Sequence, residues 1–306
     1  MPQPNPRPRT TVAVIGLGSI GGVVAGCLAH AGRHDVVACV RRPLARLTVE
    51  RPEGTIDVPL TALTDPQRAE PVDWVLLATK AQDTAAAGAW LTRLCRPTTR
   101  VAVLQNGIDH AARVAPFIGA ATAVPIMVYF NGERLADDRV RMRHVGTTAD
   151  MEAPDDAGGR AFAELMEGTM LGVRLLADFK TQAWRKLLIN AVANPVTCLT
   201  LRRQEVLRRP DIHALCLAVL EEAAAVARAD SAAIADDEPA RTMERLLGFA
   251  PGLGTSMYFD RLAGRPLEVE ALTGAIVAAG ERLGIATPLN LALLTLLRAV
   301  SDAAAT

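Results

Sequence analysis

Over its first half the chain alternates short aliphatic, β-branched runs with longer stretches of helical periodicity. Thr11–Ile15, Asp35–Val40, Asp73–Ala78, Arg100–Leu104 and Ala123–Phe130 read as strands, and helical segments fill the gaps at about 20–32, 83–95 and 108–116. Such alternation predicts a parallel sheet wrapped by helices. A further alternating run, Val140–His144, is expected to pair with the strand before it across a connection that begins at Asn131-Gly132. Gly, Asp and Pro then cluster through about residue 159, after which a helix at 160–170 and a strand at Gly172–Leu176 would close the domain. Beyond about 178 strand-like runs cease. Alanine- and leucine-rich stretches at 181–193, 211–229, 239–248, 268–283 and 288–301 carry apolar residues at helical spacing. The expected architecture is an α/β domain over 11–177 followed by an all-helical domain over 178–306.

A length of 306 residues suits two domains, each able to bury its own core. Equal numbers of basic and acidic side chains, 33 of each and interspersed, remove the field that nucleic acid or an anionic membrane surface relies on. The partner expected is therefore a small molecule. Cys27, Cys39, Cys95, Cys198 and Cys216 lie far apart with no C-x-x-C spacing and read as small hydrophobes of a reducing, cytoplasmic compartment. The histidines are dispersed too, and no metal-ligand spacing occurs. Residues 1–10 are proline-rich and polar, the composition of a mobile arm.

One segment invites a rival reading. Residues 12–29 carry no charge, follow Arg7 and Arg9, and contain Val24-Ala25-Gly26-Cys27, as an export signal would. Five glycines interrupt the stretch, however, and it runs directly into the next strand, so removing it would delete the first strand and helix of a domain. No other uncharged run approaches the roughly 20 residues of a membrane span.

The same glycines suggest chemistry. Gly16, Gly18 and Gly21 form G-x-G-x-x-G between a strand and a helix, with Ser19 and Ile20 inside the loop. In that context the glycines permit a tight turn, let the backbone approach a pyrophosphate and bring the helix close to the strand, while the helix N-terminus offers N–H groups to phosphate. The first domain is thus expected to be Rossmann-like. About 20 residues past the loop, where an NAD-binding chain places an acid on the ribose hydroxyl, this one has Val40-Arg41-Arg42. A cation there pairs with a 2′-phosphate, so the expected cofactor is NADP, with Arg41 as its reader. Two more strands end in Lys80 and in Gln105-Asn106-Gly107. Ligands of open α/β sheets sit beyond the carboxyl ends of strands, so Lys80 and Asn106 are expected near the nicotinamide.

In the second domain, Lys186, Asn190 and Asn194 recur every four residues on a helix otherwise rich in Leu, Ile, Val and Ala. That spacing stacks an amine and two amides on one face. Two asparagines are poor choices for a merely solvated face, and covered amides need partners, which a ligand supplies. Ser256 and, 12 residues on, Glu268 form a second candidate pair. A helix cap and a first-turn carboxylate account for these two equally well.

Taken together, the glycine loop with Arg41, the L-L-A-T-K-A segment with Lys80, Gln105-Asn106-Gly107, the W-R-K-L-x-x-N-x-x-x-N-P-x-T run at 184–197 and Ser256-Met257 ahead of Glu268 resemble the ketopantoate reductase family, in order and across both domains. The resemblance implies NADPH-dependent reduction of 2-dehydropantoate to pantoate on the route to pantothenate. It implies Lys186 as general acid and Glu268 as its orienting carboxylate. Asn106, Asn190, Asn194 and Ser256 would hold the substrate, with Lys80 between cofactor and substrate. Gly107-Ile108-Asp109-His110 and His144-Val145-Gly146-Thr147 depart from the family's habit and bear on which 2-oxo acid is taken. β-Hydroxyacid dehydrogenases and imine reductases share the glycine loop and a Lys followed by Asn; Asn194 and the Ser256–Glu268 pair separate the chain from them. A non-catalytic NADPH sensor would require neither Lys186 nor Glu268. The apolar helices at 268–301 leave room for a homodimer surface.

Overall fold

The computed structural model describes residues 9–144 and 149–305. The chain divides into two compact units, one of Met1–Gln105 and His110–Ala177, the other of Asn106–Asp109 and Asp178–Thr306. In chain order the first unit runs β1 (Thr11–Ile15), α1 (Ser19–Ala31), β2 (Asp35–Cys39), β3 (Arg46–Arg51), β4 (Gly54–Pro59), β5 (Thr61–Leu63), β6 (Trp74–Leu77), α2 (Gly88–Leu94), β7 (Arg100–Val103), α3 (His110–Ile118) and β8 (Thr122–Pro125). It continues with β9 (Met127–Val128), β10 (Asn131–Ala136), β11 (Arg139–Arg143), β12 (Met151–Pro154), α4 (Ala157–Met166) and β13 (Val173–Leu176). The main sheet has the order β5-β2-β1-β6-β7-β8 with every pair parallel, so the unit is a Rossmann-like α/β fold. Its central strands are buried on both faces, which is why they read as continuous apolar runs.

Two smaller sheets complete the unit. One has the order β10-β11-β3-β4, the other β13-β12-β9. The first of these explains the uncharged stretch at the amino end. α1 packs on β1 and β2 and also on β3, β4, β10 and β11, so Gly21 through Leu28 are all buried and the helix has no solvent face to carry charge. Glycines make this sandwich possible. A Cβ on Gly22 would sit 2.7 Å from Val140 Cγ1, and one on Gly26 2.4 Å from Val49 Cγ2.

The second unit is helical: α5 (Phe179–Thr200), α6 (Pro210–Ala229), α7 (Glu238–Leu247), α8 (Ser256–Leu262), α9 (Ala275–Leu283) and α10 (Pro288–Ala305). Its core gathers Trp184, Leu188, Leu220, Ile276 and Leu297, all fully or almost fully buried. α5 keeps its course through Pro195, and Asp178 caps its start by accepting from Thr181 N at 3.0 Å.

Several expectations need correction. The sequence pattern gave no hint of β3, β4 and β5, none of which carries a long apolar run, nor of β12. Asn131-Gly132 lies inside β10 rather than in a turn, and β10 and β11 are joined at Asp137-Asp138. The expected strand Ala123–Phe130 is two strands in two sheets. The expected helix at 83–95 begins only at Gly88, and that at 108–116 is α3, displaced by two residues. The helix expected at 268–283 opens with a π-turn, Glu270–Gly274, closed by Gly274 N donating to Val269 O at 2.8 Å. Most of the proline-rich arm, and Val145 to Thr147, lie outside the described residues.

The glycine loop yields a stability contrast. A Cβ on Gly21 would lie 2.0 Å from Gly16 O, whereas one on Gly18 would meet nothing within 4 Å. Gly21→Ala should therefore lower unfolding free energy by about 1–3 kcal/mol in urea titrations, and Gly18→Ala should unfold like the parent. Equal midpoints for the two variants would contradict the packing described.

Candidate active site

The first-unit residues gather at the carboxyl ends of β1, β2 and β6. Gly16 turns the chain off β1 with φ of 91°, a conformation that favours glycine, and its N–H donates to Cys39 O at 3.3 Å. A Cβ there would lie 2.8 Å from Thr79 Cγ2. Gly18 is extended and no side chain caps α1 among the described residues, nor does its first turn hold an acid. The leading N–H groups of α1 thus have no side-chain cap at the positive end of the helix dipole.

Arg41 and Arg42 follow β2 and are both exposed. They differ in occupation. Arg42 Nη1 donates to Asp137 Oδ2 at 2.9 Å, whereas Arg41 makes no ion pair among the described residues. Lys80 is half-buried just past β6, and its carbonyl accepts from Gln105 Nε2 at 3.3 Å. Gln105 is the brace here, a role that a strand-end amide does not announce in sequence. Its Nε2 also donates to Thr79 Oγ1 at 3.1 Å and Thr84 Oγ1 at 2.9 Å, and its Oε1 accepts from Arg113 at 3.0 Å. It ties the end of β7 to the loop after β6.

The second-unit residues are organised by α5. One side of the helix is fastened near its start: Trp184 Nε1 donates to Asp230 Oδ2 at 3.1 Å, and Arg185 pairs at 3.2 Å with Glu238, only 2% exposed. Asp230 also holds Lys180 at 3.0 Å and Arg282 at 3.2 Å. Burial pushes its carboxyl pKa up, but the bonds from Trp184, Lys180 and Arg282 outweigh this and leave it below the usual carboxylate range.

On the other side, Lys186 and Asn190 are half-buried and Asn194 is buried. Asn194 Nδ2 donates to Asn190 Oδ1 at 3.1 Å, while its Oδ1 accepts from Ser256 Oγ and from Met257 N, each at 3.4 Å. The cap of α8 is Thr255, not Ser256; Thr255 accepts from Tyr258 N and meets Thr197 of α5 at 2.8 Å. Asn190, Asn194 and Ser256 therefore form one network. Asn106 belongs to this unit too, and its Nδ2 donates to Oε2 of the buried Glu268 at 3.4 Å. Glu268 lies in the loop before the π-turn, outside any helical first turn.

Among the described residues no group of His, Cys, Asp and Glu could hold a metal ion, and no helix is long and apolar enough to cross a membrane.

Comparison with known proteins identifies the family. Residues 12–154 match the family model "Ketopantoate reductase PanE/ApbA", and residues 178–301 match "Ketopantoate reductase PanE/ApbA C terminal". The chain is 39% identical to the 2-dehydropantoate 2-reductase of Caulobacter vibrioides over 95% of its own length and 99% of the relative's. It is 40% identical to that of Mycobacterium tuberculosis over 96% and 98%. Among solved structures, a ketopantoate reductase from Ralstonia eutropha JMP134 superposes with a TM-score of 0.86 at 28% identity, covering 97% of this chain and all of that one. A dimeric ketopantoate reductase from Staphylococcus aureus gives 0.84 at 25% identity, covering 96% and 99%.

Fold, loop and relatives define a dinucleotide-binding oxidoreductase acting on CH–OH groups. The chain belongs to the ketopantoate reductase family.

The Asn194 network makes its own prediction. Asn194→Ala removes an acceptor that serves a helix N–H and a hydroxyl, so it should destabilise the protein by about 1–3 kcal/mol in urea denaturation. Unchanged stability would mean that Asn194 is no structural tie.

Proposed function

We propose that this protein reduces 2-dehydropantoate to pantoate with NADPH, serving pantothenate and coenzyme A synthesis in the cytoplasm. The observation that carries the reading is the polar stripe of α5, where half-buried Lys186 lies one turn before the Asn190–Asn194–Ser256 network. NADPH supplies a hydride to the ketone carbon. Lys186 donates a proton to the oxygen that becomes the alcohol, and its ammonium stabilises the negative charge developing there.

The amides divide the remaining work. Asn194 has spent its oxygen on Ser256 and Met257 and one N–H on Asn190, leaving one N–H for a ligand. Its main task is thus to orient Asn190, whose own amide N–H groups stay available for the substrate's carboxylate or hydroxyl. Ser256, exposed at the start of α8, and Asn106 supply further hydrogen bonds to substrate. Glu268, held by Asn106, orients the substrate and polarises Lys186.

The cofactor half rests on fit. An uncapped start to α1 and open space at Gly18 suit a pyrophosphate, held by Gly16, Gly18, Ser19, Ile20 and Gly21. Arg41 reads the 2′-phosphate, since Arg42 is engaged by Asp137. Lys80 and Asn106 border the nicotinamide.

Purified protein should oxidise NADPH fastest with 2-dehydropantoate among branched 2-oxo and 3-oxo acids, and should use NADH poorly. Lys186→Ala should cut kcat by about 10²–10⁴-fold while leaving the Kd for NADPH unchanged. Turnover near the parent's in that variant would remove the proposed acid, and equal use of NADH would remove the role of Arg41.

The same reading extends to assembly as a homodimer. α10 presents Pro288, Leu291, Ala292, Thr295, Leu296 and Ala299 outward at helical spacing, with Leu291 46% and Leu296 55% exposed. Light scattering should report a dimer that Leu291→Arg with Leu296→Arg converts to monomer. A monomeric parent would contradict this.

A further inference from the structure

Arg42 is the one cation of the pair after β2 that the cofactor reading leaves unused, and its partner sits on the hairpin of β10 and β11. This hairpin is fixed to the glycine loop. A Cβ on Gly132 of β10 would lie 2.5 Å from Ser19 O, and Val140 of β11 packs against Gly22. Its tip, Asp137-Asp138, follows a register shift between Arg134 and Ala136, an irregularity of the kind that re-aims side chains. Asp137 there takes both Arg42, on Oδ2 at 2.9 Å, and Arg134, on Oδ1. Neighbouring charges on the same sheet are spoken for: Glu50 holds Arg139 and Arg141, Glu133 holds Arg141 and Arg143, and Asp57 holds Arg46.

We propose that Asp137 is a specificity-determining residue, a built-in anion that occupies Arg42 and Arg134 in competition with the 2′-phosphate and so sets the margin by which NADPH is preferred to NADH. This rests on the NADPH reading above. Arg42 is 80% exposed and Asp137 48%, so their pair is solvent-screened and weak. A phosphate dianion offers three oxygens to the same guanidinium forks and displaces a single carboxylate. Asp137 thereby moderates the site: with it, Arg41 alone receives the phosphate at no cost; without it, two more guanidinium groups are released to the same anion. NADH has no such phosphate and is indifferent to the exchange.

Isothermal titration calorimetry with NADPH and with NADH tests this on the full-length protein. Asp137→Asn should tighten NADPH binding about three- to tenfold and leave NADH within about twofold. Asp138→Asn makes the same change of charge one residue away, at a carboxylate with no ion pair among the described residues, and should leave both affinities as they were. In an Arg42→Ala, Arg134→Ala background, Asp137→Asn should have no effect on NADPH. Weaker or unaltered NADPH binding in Asp137→Asn overturns the proposal, as does an equal shift for NADH or an equal effect of Asp138→Asn. If the parent binds NADH as tightly as NADPH, the cofactor reading fails, and this inference with it. A parent that prefers NADPH, with Asp137→Asn unchanged, defeats this inference alone.

Discussion

The rotation of α5 about its own axis is the constraint on which the candidate chemistry depends. Trp184 and Lys186 are two residues apart and so point about 200° away from each other around the helix. Whatever fixes Trp184 and Arg185 against the core therefore aims Lys186 the other way. Asp230 and Glu238 do this near the start of α5, and the bonds from Asn194 and Thr197 to the start of α8 do it further along. A helix held at both places cannot turn its polar stripe inward without breaking buried hydrogen bonds, each costly to leave unmade.

The first unit meets a comparable constraint by different means. Its glycine loop needs α1 close to β1, and the β10-β11-β3-β4 sheet needs the same helix close on another side. Glycine at 21 serves the first contact, glycines at 22 and 26 the second. The hairpin on that sheet reaches the residues after β2 through Asp137, so one element both covers α1 and holds Arg42, the neighbour of the arginine read as the cofactor's specificity determinant.

The main sheet apart from its edge strand β5, and the long helices of the second unit, were legible because buried parallel strands and long amphipathic helices leave strong periodic signals. The glycine loop was legible because its context, strand before and helix after, is itself part of the signal. The strands β3, β4 and β10 were obscured for the opposite reason, and β11 was legible only as the short alternating run at Val140–His144. They alternate short apolar and charged residues, and their stability comes from α1 on one face and cross-strand ion pairs such as Arg141 with Glu50 on the other. The stripe Lys186, Asn190, Asn194 was visible from spacing, but its wiring was not. No spacing rule links Asn194 to Met257 N or Asn106 to Glu268, since those contacts depend on how distant segments return to α5 and on residues 106–109 joining the second unit. Gln105 and Asn106 are both strand-end amides, and only the tertiary contacts of Gln105 with Thr79, Lys80 and Thr84 mark it as a brace.

The central claim is that the fixed rotation of α5 delivers an ammonium group to the carbonyl under reduction. A crystal structure of the protein with NADP⁺ and the bound 2-oxo acid tests it most directly. The account predicts Lys186 Nζ within about 3.2 Å of the ketone oxygen, on the same side of α5 as Asn190. An Nζ directed away from that oxygen, with another proton donor in its place, would contradict it.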